Sequence, residues 1–145
     1  MGHPQLPEAL RQGPARVLEE QARLEALRSA PWLALSWRRH DLDLELEVGA
    51  ARWQFVELTS GPELHHEGLA MHHCVGGYAR TCALGVSAIV SLKREGERAL
   101  TIELRLPSLG VAQARGVANR TPTAHEQAVV ERWLDEVKRR PRAAR

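Results

Sequence analysis

The sequence predicts an α+β domain built on an antiparallel sheet, and three observations carry that prediction. The run from Leu42 to Val48 alternates apolar and acidic residues at period two, which puts one face of a strand in a core and the other in water. Three further runs rich in strand formers, 86–93, 99–106 and 111–116, are separated by Glu95-Gly96 and by Pro107-Ser108-Leu109-Gly110, turn chemistries that join antiparallel neighbours. Helical segments stand before, between and after these runs, so a parallel sheet with regularly alternating helices is not indicated.

Taken in order, Val17, Leu18, Leu24 and Leu27 recur mostly at helical spacing among charged residues, and a helix is expected from about 15 to 29, after Gly13-Pro14. Gly49-Ala50 turns the 42–48 strand into a second one over 53–58, giving a hairpin with a wet acidic face. Ser60 followed by Glu63 is a capping-box pattern, and Pro62 suits a first helical turn. The helix from about Pro62 is expected to reach the His-Cys segment and to break at Gly76-Gly77, before a short helix from Tyr78 to Ala83 that stops at Gly85. The three strands follow as a meander. Thr123 with Glu126 then caps a last helix bearing Val129, Trp133, Leu134 and Val137.

Composition excludes several classes. A chain of 145 residues with 43% hydrophobic and 26% charged residues fits one ordinary globular domain rather than a disordered or collagen-like chain. Its formal net charge of +2 is too small to claim nucleic-acid binding over the whole surface. Local charge remains: the last eight residues hold five positive charges and no negative one. No run approaches the roughly 18 apolar residues of a membrane span, and the N-terminus lacks a signal peptide's apolar core. A cytoplasmic protein without membrane contact is expected, its two cysteines reduced.

Chemistry concentrates between Glu67 and Tyr78, where His72, His73 and Cys74 precede a glycine pair. One reading is nucleophilic catalysis, with a thiolate at Cys74 generated by an imidazole; against it stands a buried cysteine acting as a small apolar residue. A metal site from His65, His66, His72, His73, Cys74 and Cys82 lacks the paired spacing of structural zinc sites, so no metal and no cofactor are expected. A nucleotide or nucleic-acid pocket would use the amides of Gly76-Gly77, Tyr78, and Arg80, Arg115 and Arg120. However, there is neither a P-loop nor a GxGxxG, and six aromatic residues make a poor stacking platform. In the meander, Ile102 and Leu104 take the core face, which turns Thr101 and Glu103, and with them Gln113, to the other.

These residues have a collective resemblance. Leu58-Thr59-Ser60, Glu67-Gly68, Met71, His73-Cys74-Val75-Gly76-Gly77-Tyr78, Cys82, Gly85, Ile89, Ser91-Leu92, Arg98, Thr101, Glu103, Gln113, Arg115-Gly116 and Asn119-Arg120 together resemble the PcfJ-like family over roughly 31–134. The resemblance implies a protein of bacterial plasmids and other mobile elements, associated with conjugation, without a settled biochemical activity. It divides the chain into an N-terminal helical segment over 1–30, the PcfJ-like domain over 31–138 and a basic tail over 139–145. It also raises the expectation that His73, Cys74, Tyr78, Thr101, Glu103, Gln113 and Asn119 converge.

The leading expectation is therefore a domain acting on or beside nucleic acid through a polar pocket centred on His73 and Cys74. Tyr78, Thr101, Gln113, Asn119 and Arg120 are its ligand-binding residues, and its partners are nucleic acid or a nucleotide, or a protein of the mobile-element system. The alternative is a hydrolase or transferase in which Cys74 is nucleophile, His73 general base, Glu103 orienter or second acid/base, and Gln113 or Asn119 a hydrogen-bond donor to the transition state. An adaptor whose polar residues form a purely structural network needs no ligand.

Overall fold

The computed structural model describes residues 18, 19, 21, 31–73 and 77–141. Leu18, Glu19 and Gln21 are helical; the rest of the helix expected over 15–29 lies outside the described residues, as does Cys74. From Pro31 the chain makes a 3-10 turn to Ala34, then pairs β1 (Leu44–Val48) with β2 (Ala51–Leu58). Two helices follow, α1 (Gly61–Met71) and α2 (Tyr78–Ala83), then β3 (Ser87–Arg94), β4 (Glu97–Arg105) and β5 (Val111–Arg115). A 3-10 turn over Val117–Asn119 leads to α3 (Ala124–Arg139). The hairpin and the meander form one five-stranded antiparallel sheet in chain order, β1-β2-β3-β4-β5.

Alternation along the strands decides what covers each face. Trp53 and Phe55 on β2, Val90 and Leu92 on β3, and Leu100, Ile102 and Leu104 on β4 share the main core with Val129, Trp133 and Val137 of α3. Phe55 and Trp133 stack with centroids 4.5 Å apart and rings 5° from parallel, and Trp133 Nε1 donates to the Leu42 carbonyl at 2.8 Å. Each such fully buried large side chain stabilises by roughly 1.5–3 kcal/mol. On the other face a smaller cluster joins Leu58 and Ile89 to Leu64 of α1 and to Ala79 and Cys82 of α2. The acidic residues Glu45 and Glu47 of β1 are exposed, as the alternation requires.

The caps hold, with one change of partner. Thr123 and Glu126 form a reciprocal capping box at α3. At α1 the Ser60 hydroxyl accepts from Glu63 N at 3.3 Å, but the Glu63 carboxylate turns back to Thr59, accepting from its N–H at 2.7 Å. The sequence places the break after α1 at Gly76-Gly77, whereas the helix ends at Met71. His72 takes left-handed backbone angles, φ 54° and ψ 46°, and its N–H bonds to the Gly68 carbonyl, a C-terminal stop that histidine adopts more readily than bulky residues do. His73 thus stands in the connection, not on the helix.

Candidate functional site

The α1 stripe that faces the sheet is Gly61, Leu64, Glu67 and Met71, all buried. Three of these are what helical periodicity predicts. The fourth is a carboxylate with no exposed surface. Glu67 accepts from Ser91 Oγ at 2.9 Å, Arg98 Nε at 2.8 Å and Thr101 Oγ1 at 2.5 Å. Ser91 and Thr101 are direct cross-strand partners, so two adjacent hydroxyls on neighbouring strands make the seat for one carboxylate. Such a group survives burial only when hydrogen-bonded and paired, as it is here.

Beside this network lies a polar pocket of about 280 Å³, including its open mouth, lined by His73, Tyr78, Thr101, Glu103, Gln113, Arg115 and Asn119. Register explains the convergence. Thr101 pairs with Arg115 and Glu103 with Gln113 across β4 and β5, so the four stand on one face, opposite the side taken by Ile102 and Leu104. The Tyr78 hydroxyl reaches from α2 and donates to Gln113 Oε1 at 2.7 Å. Ser87 Oγ donates to Glu103 Oε2 at 3.0 Å. Asn119 arrives on the turn after β5 with φ 63°, a left-handed conformation that asparagine tolerates.

His73 Nε2 is buried and has no hydrogen-bond partner among the described residues. Burial lowers its pKa, against an opposing pull from the Glu67 charge, so the ring is neutral near pH 7. A neutral imidazole can accept a proton, and Glu103 and Arg115 bring one negative and one positive group to the same pocket. Their partnership is not an ion pair among the described residues: Arg115 Nη1 donates to the Ala114 carbonyl at 3.0 Å.

The other expected residues are placed differently. Arg120 is outside the pocket lining; its guanidinium clamps Glu126 at 2.9 and 3.1 Å and donates to the Ala99 carbonyl at 3.2 Å. Arg140 of the basic tail hooks onto Asp41 at 3.1 Å and onto the Asp43 carbonyl at 2.8 Å. Lys138 and Arg139 belong to the last turn of α3. Cys82 is buried in α2. Burial, with the Glu57 and Glu103 charges adding to it, pushes its thiol up to about 12.

The family comparison bears directly on this set of residues. The model described as PcfJ-like protein matches residues 15–130, which include the whole pocket. The chain belongs to the PcfJ-like family. No curated protein and no solved structure matches it. In this PcfJ-like domain, no helix of the described residues is long and apolar enough to cross a membrane, and no group of three or more candidate metal ligands lies together among them.

Sequence reasoning gave no role to Glu67, although its place on the Leu64–Met71 stripe is a readable signal: a carboxylate at a core position needs partners. It also passed over Glu57, likewise without exposed surface. Glu57 accepts from the His40 backbone N–H at 2.6 Å and lies 2.7 Å from the His40 ring, tying the approach to β1 onto β2. Strand alternation signals Glu57 as well, since it continues the inward face of Trp53 and Phe55.

Proposed function

We propose that this PcfJ-like domain is an acid–base enzyme, a hydrolase or transferase, whose active site is the pocket at His73. The observation that carries this reading is a half-buried imidazole, its pKa lowered by burial, whose buried Nε2 has no hydrogen-bond partner among the described residues and which opens on a pocket of polar side chains. A purely structural network would satisfy that nitrogen. His73 serves as the general base. Cys74, next in the chain, supplies the nucleophile, its Sγ proton passing to the imidazole before attack. Glu103, held by Ser87, orients the ring or returns a proton to the leaving group. With Tyr78 donating to Gln113 Oε1, the Gln113 amide N–H groups and the Asn119 side chain are donors for charge developing in the transition state. The setting implied by the resemblance, plasmids and conjugative transfer, belongs to this proposal.

The test is untargeted. The protein is incubated with a library of nucleotides and metabolites, and bound species, turnover and covalent mass at Cys74 are followed. A product or adduct lost in His73→Ala and in Glu103→Gln supports the reading; one formed equally well by both variants overturns it.

A second reading, contact with nucleic acid, is favoured by one observation: Arg115 lines the pocket, and among the described residues its guanidinium donates to a backbone carbonyl and to no carboxylate, which suits a phosphate. Arg120 and Arg140, committed to Glu126 and Asp41, contribute less to it than the sequence implies. Salt-dependent binding of DNA or RNA that weakens in Arg115→Ala supports this reading, and its absence at low salt removes it.

A further inference from the structure

Glu67 belongs to the buried stripe of α1 and is not among the residues lining the pocket. Its three donors come from β3 and β4, and one of them is an arginine whose side chain is two thirds buried. A buried ion pair of this kind is often no more stabilising than well-packed apolar side chains of the same volume, so stability alone accounts for it poorly. What distinguishes the network is where it leads. Thr101 donates its hydroxyl proton to Glu67 and is also part of the pocket wall. The residue after Glu67, Gly68, accepts through its carbonyl from the backbone N–H groups of both His72 and His73. One route therefore runs from Glu67 to the pocket through a strand, and a second through the end of the helix.

We infer that Glu67 is a positioning residue of the pocket, holding Thr101 and the end of α1 so that His73 is presented to Glu103, Gln113 and Arg115. The inference rests on reading the pocket as a functional site. The groups that share the pocket with His73 are Tyr78 of α2, Thr101 and Glu103 of β4, Gln113 and Arg115 of β5, and Asn119 of the turn beyond. Of these only Glu103 and Arg115 carry charge. Glu67 adds its negative charge from outside the lining, opposing the effect of burial on the imidazole.

The His73 ring is followed by NMR as a function of pH in the full chain, in Glu67→Gln and in Ser91→Ala. Glu67→Gln keeps the shape and removes the charge, so the His73 midpoint falls below that of the parent. Ser91→Ala removes one donor from the same network and leaves the charge, so it lowers Tm without moving the midpoint. Equal midpoints in the parent and Glu67→Gln, with only Tm reduced, overturn the inference. Should Glu67→Gln not fold, Arg98→Met removes the cation and leaves the carboxylate; a His73 midpoint displaced from the parent's supports the coupling, and one that stays in place overturns it. His73 titrates whether or not a substrate is turned over, so a failure here is separate from a failure of the acid–base reading, which the His73 and Glu103 variants test.

Discussion

Tyr78 of α2 and Gln113 of β5, 35 residues apart in the chain, are joined by a 2.7 Å hydrogen bond between two residues of the pocket lining. The bond fixes a helix against the outermost strand of the meander and selects one orientation of the glutamine amide. Tyr78→Phe removes it with little change of volume. The expected cost is about 1 kcal/mol in denaturant unfolding, together with a loss of ligand binding or turnover disproportionate to that cost. A variant with parental activity would mean that the amide needs no orienting.

The two thiols should behave differently in the native protein. Cys82 is buried and its thiolate is disfavoured up to about pH 12, so alkylation at neutral pH should leave it unmodified until the domain unfolds, while Cys74 reacts first. Mass spectrometry of peptides after limited labelling checks this. Faster modification of Cys82 than of Cys74 would count against nucleophilic chemistry at Cys74.

Arg120 and Glu126 make stability depend on pH in a defined direction. Burial alone would raise the Glu126 pKa, but the hydrogen bonds from Arg120 and Thr123 outweigh it and hold it below its ordinary value. The stabilisation is therefore fully present above the unfolded carboxylate pKa, about 4.3, and is lost as pH falls through the lower folded value. Glu126→Gln should cost about 1–2 kcal/mol at pH 7 through the ion pair and the cap. Unfolding curves of parent and variant should converge in acid; a gap independent of pH would assign the effect to packing.

Gly61 tests a close approach of backbone to backbone. A Cβ there would overlap the Trp32 carbonyl and the Leu33 backbone, atoms that cannot rotate away as a flexible side chain would. Gly61→Ala should destabilise by about 1–3 kcal/mol, comparable to the lower range of Ile102→Ala, for which about 2–5 kcal/mol is expected at a fully buried position. Thermal melts of the two variants compare them directly, and an unchanged Tm in Gly61→Ala would refute the contact.

The periodic parts of this fold were legible because β1 alternates, the meander is punctuated by its turns, and each long helix carries its cap in the letters. Placing Glu103 and His73 on one side was also within reach, since the apolar demands of Ile102 and Leu104 leave their strand only one other face. The stop of α1 was not legible: nothing in His72 announces a left-handed residue, whereas Gly76-Gly77 looks like the natural break. Nor was the seat of Glu67, because its partners lie 24 to 34 residues away and neighbour along the chain says nothing about them. Arg120 reads in sequence as a free cation; only the fold brings Glu126 and the Ala99 carbonyl to it.

The strands are hydrogen-bonded in the order in which they occur, and α1 and α2 enter as an insertion between two adjacent ones, β2 and β3. A ribbon of this kind closes by local pairing alone and needs no threading. The entropy of closing the interval between β2 and β3 grows only slowly with its length, by about 0.6 kcal/mol for each doubling. The sheet therefore senses little of how long that interval is, and what it does sense are the side chains the interval packs onto it. The segment bearing His73 and Tyr78 is in this sense a graft: its length can change while Glu67 keeps its seat on Ser91 and Thr101 and Tyr78 keeps its bond to Gln113 on the ribbon beneath it.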